Sequence, residues 1–498
     1  MNKNNKTIRK SILFLLISTL LLFTLLSCSN NTKEKQNANS GTDSKTDTAE
    51  NTAETTKLTD GLPNTDMQGY VFNIFNFDNT WFTWANTRIL AEEENGDIVN
   101  DALYKRERQI EDRFNCSFKT NEVNDTTDYI KRNVSAGDNT YQLYSIYDQN
   151  FGVLVPYMLD CNTLPYLKLG EKYWNPDATS IYNFSGKQLA LAGNISLSVV
   201  STATCIVFNK KIYQQYVGGD SLYDCVRNNQ WTIDKYFQIA ESAGKDLNGD
   251  GQWTADDLYG INSNFKGLIG VFLKGVGMGF TTPGDDGVPV FNLAQNESAL
   301  NLVTKLMDAL SIPGYYYNTA TTVYDATPDM FTPGHALFSI ASGNGIDVLR
   351  AMPDDIGIIP LPKLSETQDR YYATSFGNTI WVVPKTVDVS SEGDNIGMIL
   401  EAMSFSGYYD IIPQYKEIVL KTKSARDDES ADMLDIIFNS VKFDFDMNVL
   451  FDAELQTTIL PAMWKDKTSG NLVSICEKNT AAITNYITKF YKAVDAVE

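Results

Sequence analysis

The chain is nearly devoid of histidine. His335 is its only imidazole in 498 residues, so a Ser-His-Asp hydrolase, a Cys-His protease and a His-ligated zinc centre all lack their parts. It stands just before the apolar run ALFSIAS and reads as a strand-edge residue. Cysteine is sparse as well. Cys28, Cys116, Cys161, Cys205, Cys225 and Cys476 contain no CxxC pair, which leaves out a zinc ribbon and a thioredoxin-like motif. With Cys28 set aside an odd number remains, which argues against a complete disulfide framework. Cys205, inside ATCIVFNK, reads as a small buried apolar residue. There is no basic stripe. With 62 acidic against 41 basic residues and a formal charge of −21, the surface repels phosphate backbones, and nucleic acid is not an expected partner. GVGMG lacks the G-x-G-x-x-G spacing and follows a helix, not a strand, so it is no nucleotide signature.

What is present begins with an address. Lys3, Lys6, Arg9 and Lys10 precede SILFLLISTLLLFTLL, an apolar run without charge that is shorter than the roughly 20 residues of a spanning helix. A charged start, a short apolar core and small residues at its end make a secretory signal. The end, Leu25-Leu26-Ser27-Cys28, resembles a bacterial lipobox. The expectation is a signal peptide over 1–27, acylation of Cys28, and a body held at the outer face of the cell membrane. From Ser29 to about Asp66 the chain has no aromatic residue. It cannot bury enough apolar surface to offset its chain entropy, so 28–66 is expected to be a disordered tether.

At Tyr70 the character changes. YVFNIFNF, CSFKTNEV and YQLYSIYD are strand candidates, and NDALYKRERQIEDRF places Ala102, Leu103, Ile110 and Phe114 at helical spacing. WTIDKYFQIAESAGK and SALNLVTKLMDAL are further amphipathic helices, and DDGVPVF a tight hairpin. Strands alternating with such helices indicate an α/β fold with a largely parallel sheet, whose ligands collect beyond the strands' carboxyl ends.

The stretch GKQLALAGNISLSVVSTATCIVFNKKIYQQY resembles the first lobe crossing of the extracellular solute-binding proteins of the maltose-binding type. MFTPGHALFSIASGNGIDVLR and DDIGIIPLPKLSETQDRYYATSFGNTIWVVPKTV resemble the strand back to the cleft and the return crossing. The match in element order runs from about Tyr70 to the end, and the lipobox and ILEAMSFSGYYDIIPQYKEIVLKTKSARDDESADMLDIIF place the resemblance in a Gram-positive lipoprotein branch. It implies a two-lobed periplasmic-binding-protein type II fold with a crossing-strand hinge. The first lobe would take 67–195 and about 356–410, the second about 196–355 and 411–498. It further implies a monomeric binder rather than an enzyme, one that captures a carbohydrate, expected to be an oligosaccharide, and delivers it to the permease of an ABC transporter.

KDLNGDGQWTADDLYG, Lys245 to Gly260, carries a second signal. Asp246, Asn248, Asp250, Gly251, Gln252 and Asp257 fall at positions 1, 3, 5, 6, 7 and 12 of a calcium loop: hard oxygen donors, a glycine for the sharp turn, and a lent carbonyl. Asp257 stands where a bidentate Glu is usual. One loop, with a helix only before it and an extended segment after it, is expected to hold Ca2+ as a structural staple and not as a sensor. A polar turn built on Asn-Gly and Asp-Gly is the alternative.

Sugars present apolar faces and rings of hydroxyls, so their sites pair aromatic platforms with Asp, Asn and Ser. Trp81 and Trp84, after the first strand, are candidate platforms or pack under their own loop. Asp148, after the third strand, is a cleft hydrogen-bonder or a turn cap. Asn194 and Ser196 lie at the first crossing, Ser342 and Asn344 in ASGNG, and Tyr372 in RYYAT completes the candidate ligand set. In ASGNG the resemblance implies an aromatic platform that this chain lacks. Trp174 reads as a packing residue. Two rivals stay open: a glycosidase with a carboxylate pair, which is defined by spatial separation and not by sequence, and a peptide- or other solute-capturing or adhesive surface lipoprotein on the same fold.

Overall fold

A computed structural model describes residues 59–80, 86–318, 330–349, 352–375, 377–420, 428–446, 448–450, 458–466 and 471–497. The compact unit that holds the fold runs from Thr59 to Glu498. The leader, Cys28 and the expected tether up to Leu58 lie outside the described residues. The last part of that expected tether belongs to the folded unit. Leu62 is buried, and Asp60 forms an ion pair with Arg113 at 2.6 Å, so residues before Asp66 already gain apolar burial and a charge partner.

Two sheets organise the unit. The first is assembled from β1 (Tyr70–Phe77), β2 (Cys116–Val123), β3 (Leu143–Tyr147) and, from far along the chain, Thr379–Val382. The second contains β4 (Thr204–Asn209), β5 (Tyr259–Ser263), β6 (Tyr316–Asn318), β7 (Ala336–Ser342) and β8 (Ile356–Ile359), and Thr379–Val382 of the first sheet is then β9. The strand orders are β9-β3-β1-β2 and β6-β5-β7-β4-β8. β1 runs parallel to β2 and β3, and β9 antiparallel to β3, with Thr379 opposite Tyr147. In the second sheet β5, β6 and β7 are parallel and β4 runs against both its neighbours, with Ser342 opposite Thr204. The return to the first lobe therefore comes later than residue 356. IGII is apolar throughout, as a strand covered on both faces should be, and β8 pairs with β4 inside the second sheet.

Helices cover the sheets for local reasons. α1 (Ile98–Phe114) starts where the Asp97 side chain accepts the Asn100 N–H at 2.8 Å and stops at Asn115, whose φ of 49° is left-handed. Val99, Leu103, Ile110 and Phe114 are its buried stripe. α2 (Ile233–Ala243) is capped by Thr232 and buries Ile233, Tyr236, Phe237, Ala240 and Ala243. α3 (Phe265–Gly275) follows β5, and α4 (Gly343–Val348) follows β7. α5 (Val389–Ser406), a wide turn over Gly407–Ile411 and α6 (Ile412–Leu420) form one continuous rod that packs along α1 and touches α4 through α6. α7 (Leu472–Asp495) closes the fold.

The core is continuous between the lobes along one edge. Phe184 of the first lobe packs edge-on against Phe445 and against Phe490 of α7, with ring centroids 6.2 and 4.8 Å apart, and Tyr182 meets Phe443. Each such buried aromatic contributes on the order of 1.5–3 kcal/mol of apolar burial, which makes this edge a fixed seam. All five cysteines of the folded unit are free and buried; burial pushes the Cys205 thiol up to about 12. Among the described residues no helix is long and apolar enough to cross a membrane.

Candidate functional site

The carboxyl end of β3 in one lobe, and that of β7 in the other, abut the segments that pass between the lobes. The first crossing is Ser198–Thr204 and the return crossing Thr374–Thr379. They are stitched side by side: Ala203 bridges Ser375, Thr204 Oγ1 donates to the Thr374 carbonyl at 2.9 Å, and Ser198 Oγ accepts the Thr379 N–H at 2.8 Å. Between them lies a fully buried knot of small polar side chains. Thr202 Oγ1 meets both Ser375 Oγ and Asn378 Oδ1, and Ser375 Oγ donates to Asn378 Oδ1 at 2.7 Å. Asp148 joins the knot from the end of β3. Its N–H donates to the Asn378 carbonyl at 3.0 Å, and its Oδ2 accepts Asn448 Nδ2 at 2.8 Å and Asn378 Nδ2 at 3.4 Å. This is a hinge of buried hydrogen bonds, in which each group is expensive to strand.

Several residues expected at the ligand site fall on this hinge. Asp148 is its buried carboxylate. Ser342 ends β7 fully buried beside Thr204 and accepts the Gly345 N–H at 3.2 Å, starting α4, on which Asn344 stands half-buried. Gly343 between them is forced by close approach: a Cβ there would lie 2.9 Å from the Val200 carbonyl oxygen and 3.2 Å from Ser201 Cα. Asn194 and Ser196 are engaged within the first lobe. Asn194 Nδ2 donates to the Tyr173 carbonyl at 2.6 Å, and Ser196 Oγ accepts the Ser198 N–H at 3.3 Å. Tyr372 lies between cations instead, with Arg370 and Lys442 each 5.0 Å from its ring centre and Gly277 against its edge. Trp81 and Trp84 lie outside the described residues. Trp174 is fully buried, its indole N–H bonded to Glu401 at 2.6 Å, as a packing residue should be.

The hinge groups Thr202, Ser375, Asn378 and Asn448 were not singled out from the sequence. They are small polar residues in STAT, TSFGNT and DFDMN, and only the pairing of distant segments gives them a common address. Arg106 was missed too, although its place three residues after Leu103 and four before Ile110 puts it on the apolar face of α1. Close to the hinge in the second lobe, Lys274 of α3 is buried between Asp444 at 2.7 Å and Asp446 at 3.3 Å. Burial opposes its charge, but the two carboxylates outweigh that and hold its pKa above the ordinary lysine value. The Tyr182 phenol is pushed well above its usual pKa by burial, and further by Asp148 and Asp444.

The 246–257 loop winds on its own amides. Asp246 accepts Gly249 N and Gly251 N, each at 2.8 Å, Asn248 accepts Asp250 N at 2.9 Å, and Asp250 accepts Gln252 N at 2.7 Å. Gly249 and Gly251 take φ of 73° and 75°, a turn that favours glycine. Asp257 is fully buried, and its two oxygens accept Leu247 N at 3.0 Å and Thr254 N at 2.8 Å. Among the described residues no three Asp, Glu, His or Cys side chains gather at one point. A cation here would therefore draw on Asn248 and on main-chain carbonyls besides Asp246 and Asp250, a mixed oxygen set of the kind calcium accepts.

No protein-family model and no curated protein matches the chain. Solved structures do match. A maltose-bound protein of T. maritima aligns over 83% of this chain and 100% of its own, with a TM-score of 0.50 and 15% identity. An ABC substrate-binding protein from Listeria monocytogenes, in complex with cycloalternan, aligns over 84% and 99%, with a TM-score of 0.52 and 11% identity. A cyclic alpha-maltosyl-1,6-maltose binding protein from Arthrobacter globiformis aligns over 86% and 98%, with 0.52 and 12%. The chain has their two-lobed α/β fold.

Proposed function

We propose that this chain is an extracytoplasmic receptor that captures a carbohydrate in the cleft between its lobes and presents it to an ABC transporter permease, tethered to the membrane through a lipid on Cys28. One observation carries the reading. The carboxyl ends of β3 and β7, one from each sheet, meet at stitched crossings held by buried amides and hydroxyls, a hinge about which two lobes can close on a solute. The structural neighbours named above hold or are named for sugars, which favours carbohydrate over peptide as the solute. Asp148, the carboxylate at this place, is tied down by two amides; that supports binding rather than carboxylate-pair hydrolysis. Ca2+ would sit in the 246–257 loop on Asp246, Asn248, Asp250 and the Gln252 carbonyl, stapling α2 to β5, while Asp257 holds the loop's own amides. It supplies no chemistry to the cleft.

The test is a melting-temperature screen of the folded unit, in calcium, against mono- and oligosaccharides. A ligand at a hundred times its dissociation constant should add about 2.7 kcal/mol of stability. A shift with one sugar class supports the reading and narrows the solute. No shift with any sugar, in a folded sample, overturns it in favour of peptide or another solute, and turnover of a chromogenic glycoside would overturn it in favour of hydrolysis.

A further inference from the structure

We propose that Arg106 is the positioning residue of the cleft: one buried guanidinium that ties together the approach to the first lobe crossing, the last turn of α5 and the stem between β1 and α1. Its Nη1 donates to the Ile195 carbonyl at 2.7 Å and the Met403 carbonyl at 3.4 Å, and its Nη2 to the Ile89 carbonyl. Ile195 lies three residues before the first crossing at Ser198. Met403 lies in the last turn of α5, just before the wide turn over Gly407–Ile411. Ile89 belongs to the stem that returns from the cleft end of β1 to α1.

That stem is riveted at several further points. Asn86 N donates to Ser201 Oγ of the first crossing at 3.0 Å, Ala91 N donates to Glu107 Oε2 at 3.3 Å, and Asn100 Nδ2 donates to the Glu93 carbonyl at 2.7 Å. Consecutive residues of α1, Arg106 and Glu107, thus take a carbonyl and an amide of the same stem. A displacement of the first crossing is carried into the stem through Ser201 and Asn86, and Arg106 holds both ends of that path.

The residue type supports the assignment. Arg106 is only 2% exposed and sits on the helix stripe that Leu103 and Ile110 share. A leucine there would pack α1 without the large desolvation cost of a buried cation. What a leucine cannot do is direct several N–H groups at carbonyls from three segments, which the planar fork of arginine does. Burial pulls the Arg106 pKa down to about 10, against the raising effect of Glu107 and Asp410, so it is charged at neutral pH.

The inference rests on the binding reading above, and its test separates the two. Arg106→Met and Arg106→Lys are compared with Arg113→Met, on the same helix but paired with Asp60. Hydrogen exchange of the ligand-free full chain in detergent is followed over 86–95, 194–202 and 402–412. Binding is measured for whichever sugar shifts the melting temperature. Arg106→Met should raise exchange in all three segments, leave 233–243 of the second lobe unchanged, and weaken sugar binding about tenfold. Arg106→Lys should fall between it and the unaltered protein, and Arg113→Met should do neither. The proposal is overturned by exchange that is unchanged, raised everywhere alike, or reproduced by Arg113→Met. It is equally overturned by raised exchange with unaltered affinity, since Arg106 would then only stabilise its lobe. If no sugar binds, the binding reading fails while the exchange arms still decide on Arg106. If Arg106→Met does not fold, Arg106→Lys carries the same readings.

Discussion

The Asn448 side-chain amide donates to the Asp148 carboxylate at 2.8 Å, across a sequence separation of 300 residues. Asp148 is fully buried, and its Oδ2 also receives Asn378 Nδ2. A carboxylate only accepts, so it suits a place where two amides donate. Asp148→Asn keeps the shape and one oxygen for those amides but removes the charge that strengthens both bonds. The variant should lose roughly 1.5–3 kcal/mol, the worth of a charge-assisted hydrogen bond, read as a lower urea midpoint with an unchanged slope. An unchanged midpoint would show that Asp148 does not hold the hinge together.

Gly343 packs on the first crossing so closely that an added Cβ would also come within 2.8 Å of the Tyr415 hydroxyl. The tyrosine oxygen can shift; the Val200 carbonyl and Ser201 Cα are backbone and move only with the crossing. Gly343→Ala should cost about 1–3 kcal/mol by overpacking and alter the separation of the lobes, visible as a changed radius of gyration in solution scattering. Wild-type stability together with a wild-type scattering curve would contradict the close contact.

Much of the fold was legible because its signals are local. YVFNIFNF became β1 in full, NDALYKRERQIEDRF became most of α1, and the Asn-Gly and Asp-Gly pairs of 246–257 produced a turn wound on its own amides. The two-lobed architecture was readable from the order of elements. What escaped depends on distant pairing. IGII carries no polar residue to say which sheet it joins, so the return crossing was placed too early. In RYYAT either tyrosine can face inward, and Tyr371 is the buried one. Arg106 was one charge among several in KRER, and its burial comes from Ile89, Ile195 and Met403, which no local window contains.

Lys274 makes a further case of a buried charge held in place by its neighbours. Asp446 takes the Lys274 ammonium, the Phe280 and Thr281 N–H groups and the Thr281 hydroxyl. Lys274→Met leaves Asp444 and Asp446 without their cation and should cost about 3–5 kcal/mol. The folded pKa of Lys274 is raised, so its contribution is fully present below the unfolded value of about 10.4 and is lost as pH rises through the higher folded value. Stability of the unaltered protein should therefore decline more steeply above that pH than stability of Lys274→Met. Parallel alkaline curves for the two would refute the pairing.

The 246–257 loop contains two kinds of aspartate, and substituting them separates the proposed metal binding from folding. Asp246 is half-buried and Asp250 exposed, and both bond only to amides of their own turn. Asp257 is buried and spans the loop from Leu247 to Thr254. If the loop holds Ca2+, chelation should lower the melting temperature, and calcium at a hundred times its dissociation constant should restore about 2.7 kcal/mol. Asp250→Asn, which removes a charged donor while keeping an oxygen for Gln252, should lose that calcium increment with little change in chelator. Asp257→Asn should lower stability in chelator as well, because one of the two amides it accepts loses its partner, at about 1–3 kcal/mol. Identical melting in calcium and in chelator would reduce the loop to a self-bonded polar turn, and the Asp257 result would then stand alone as a folding effect.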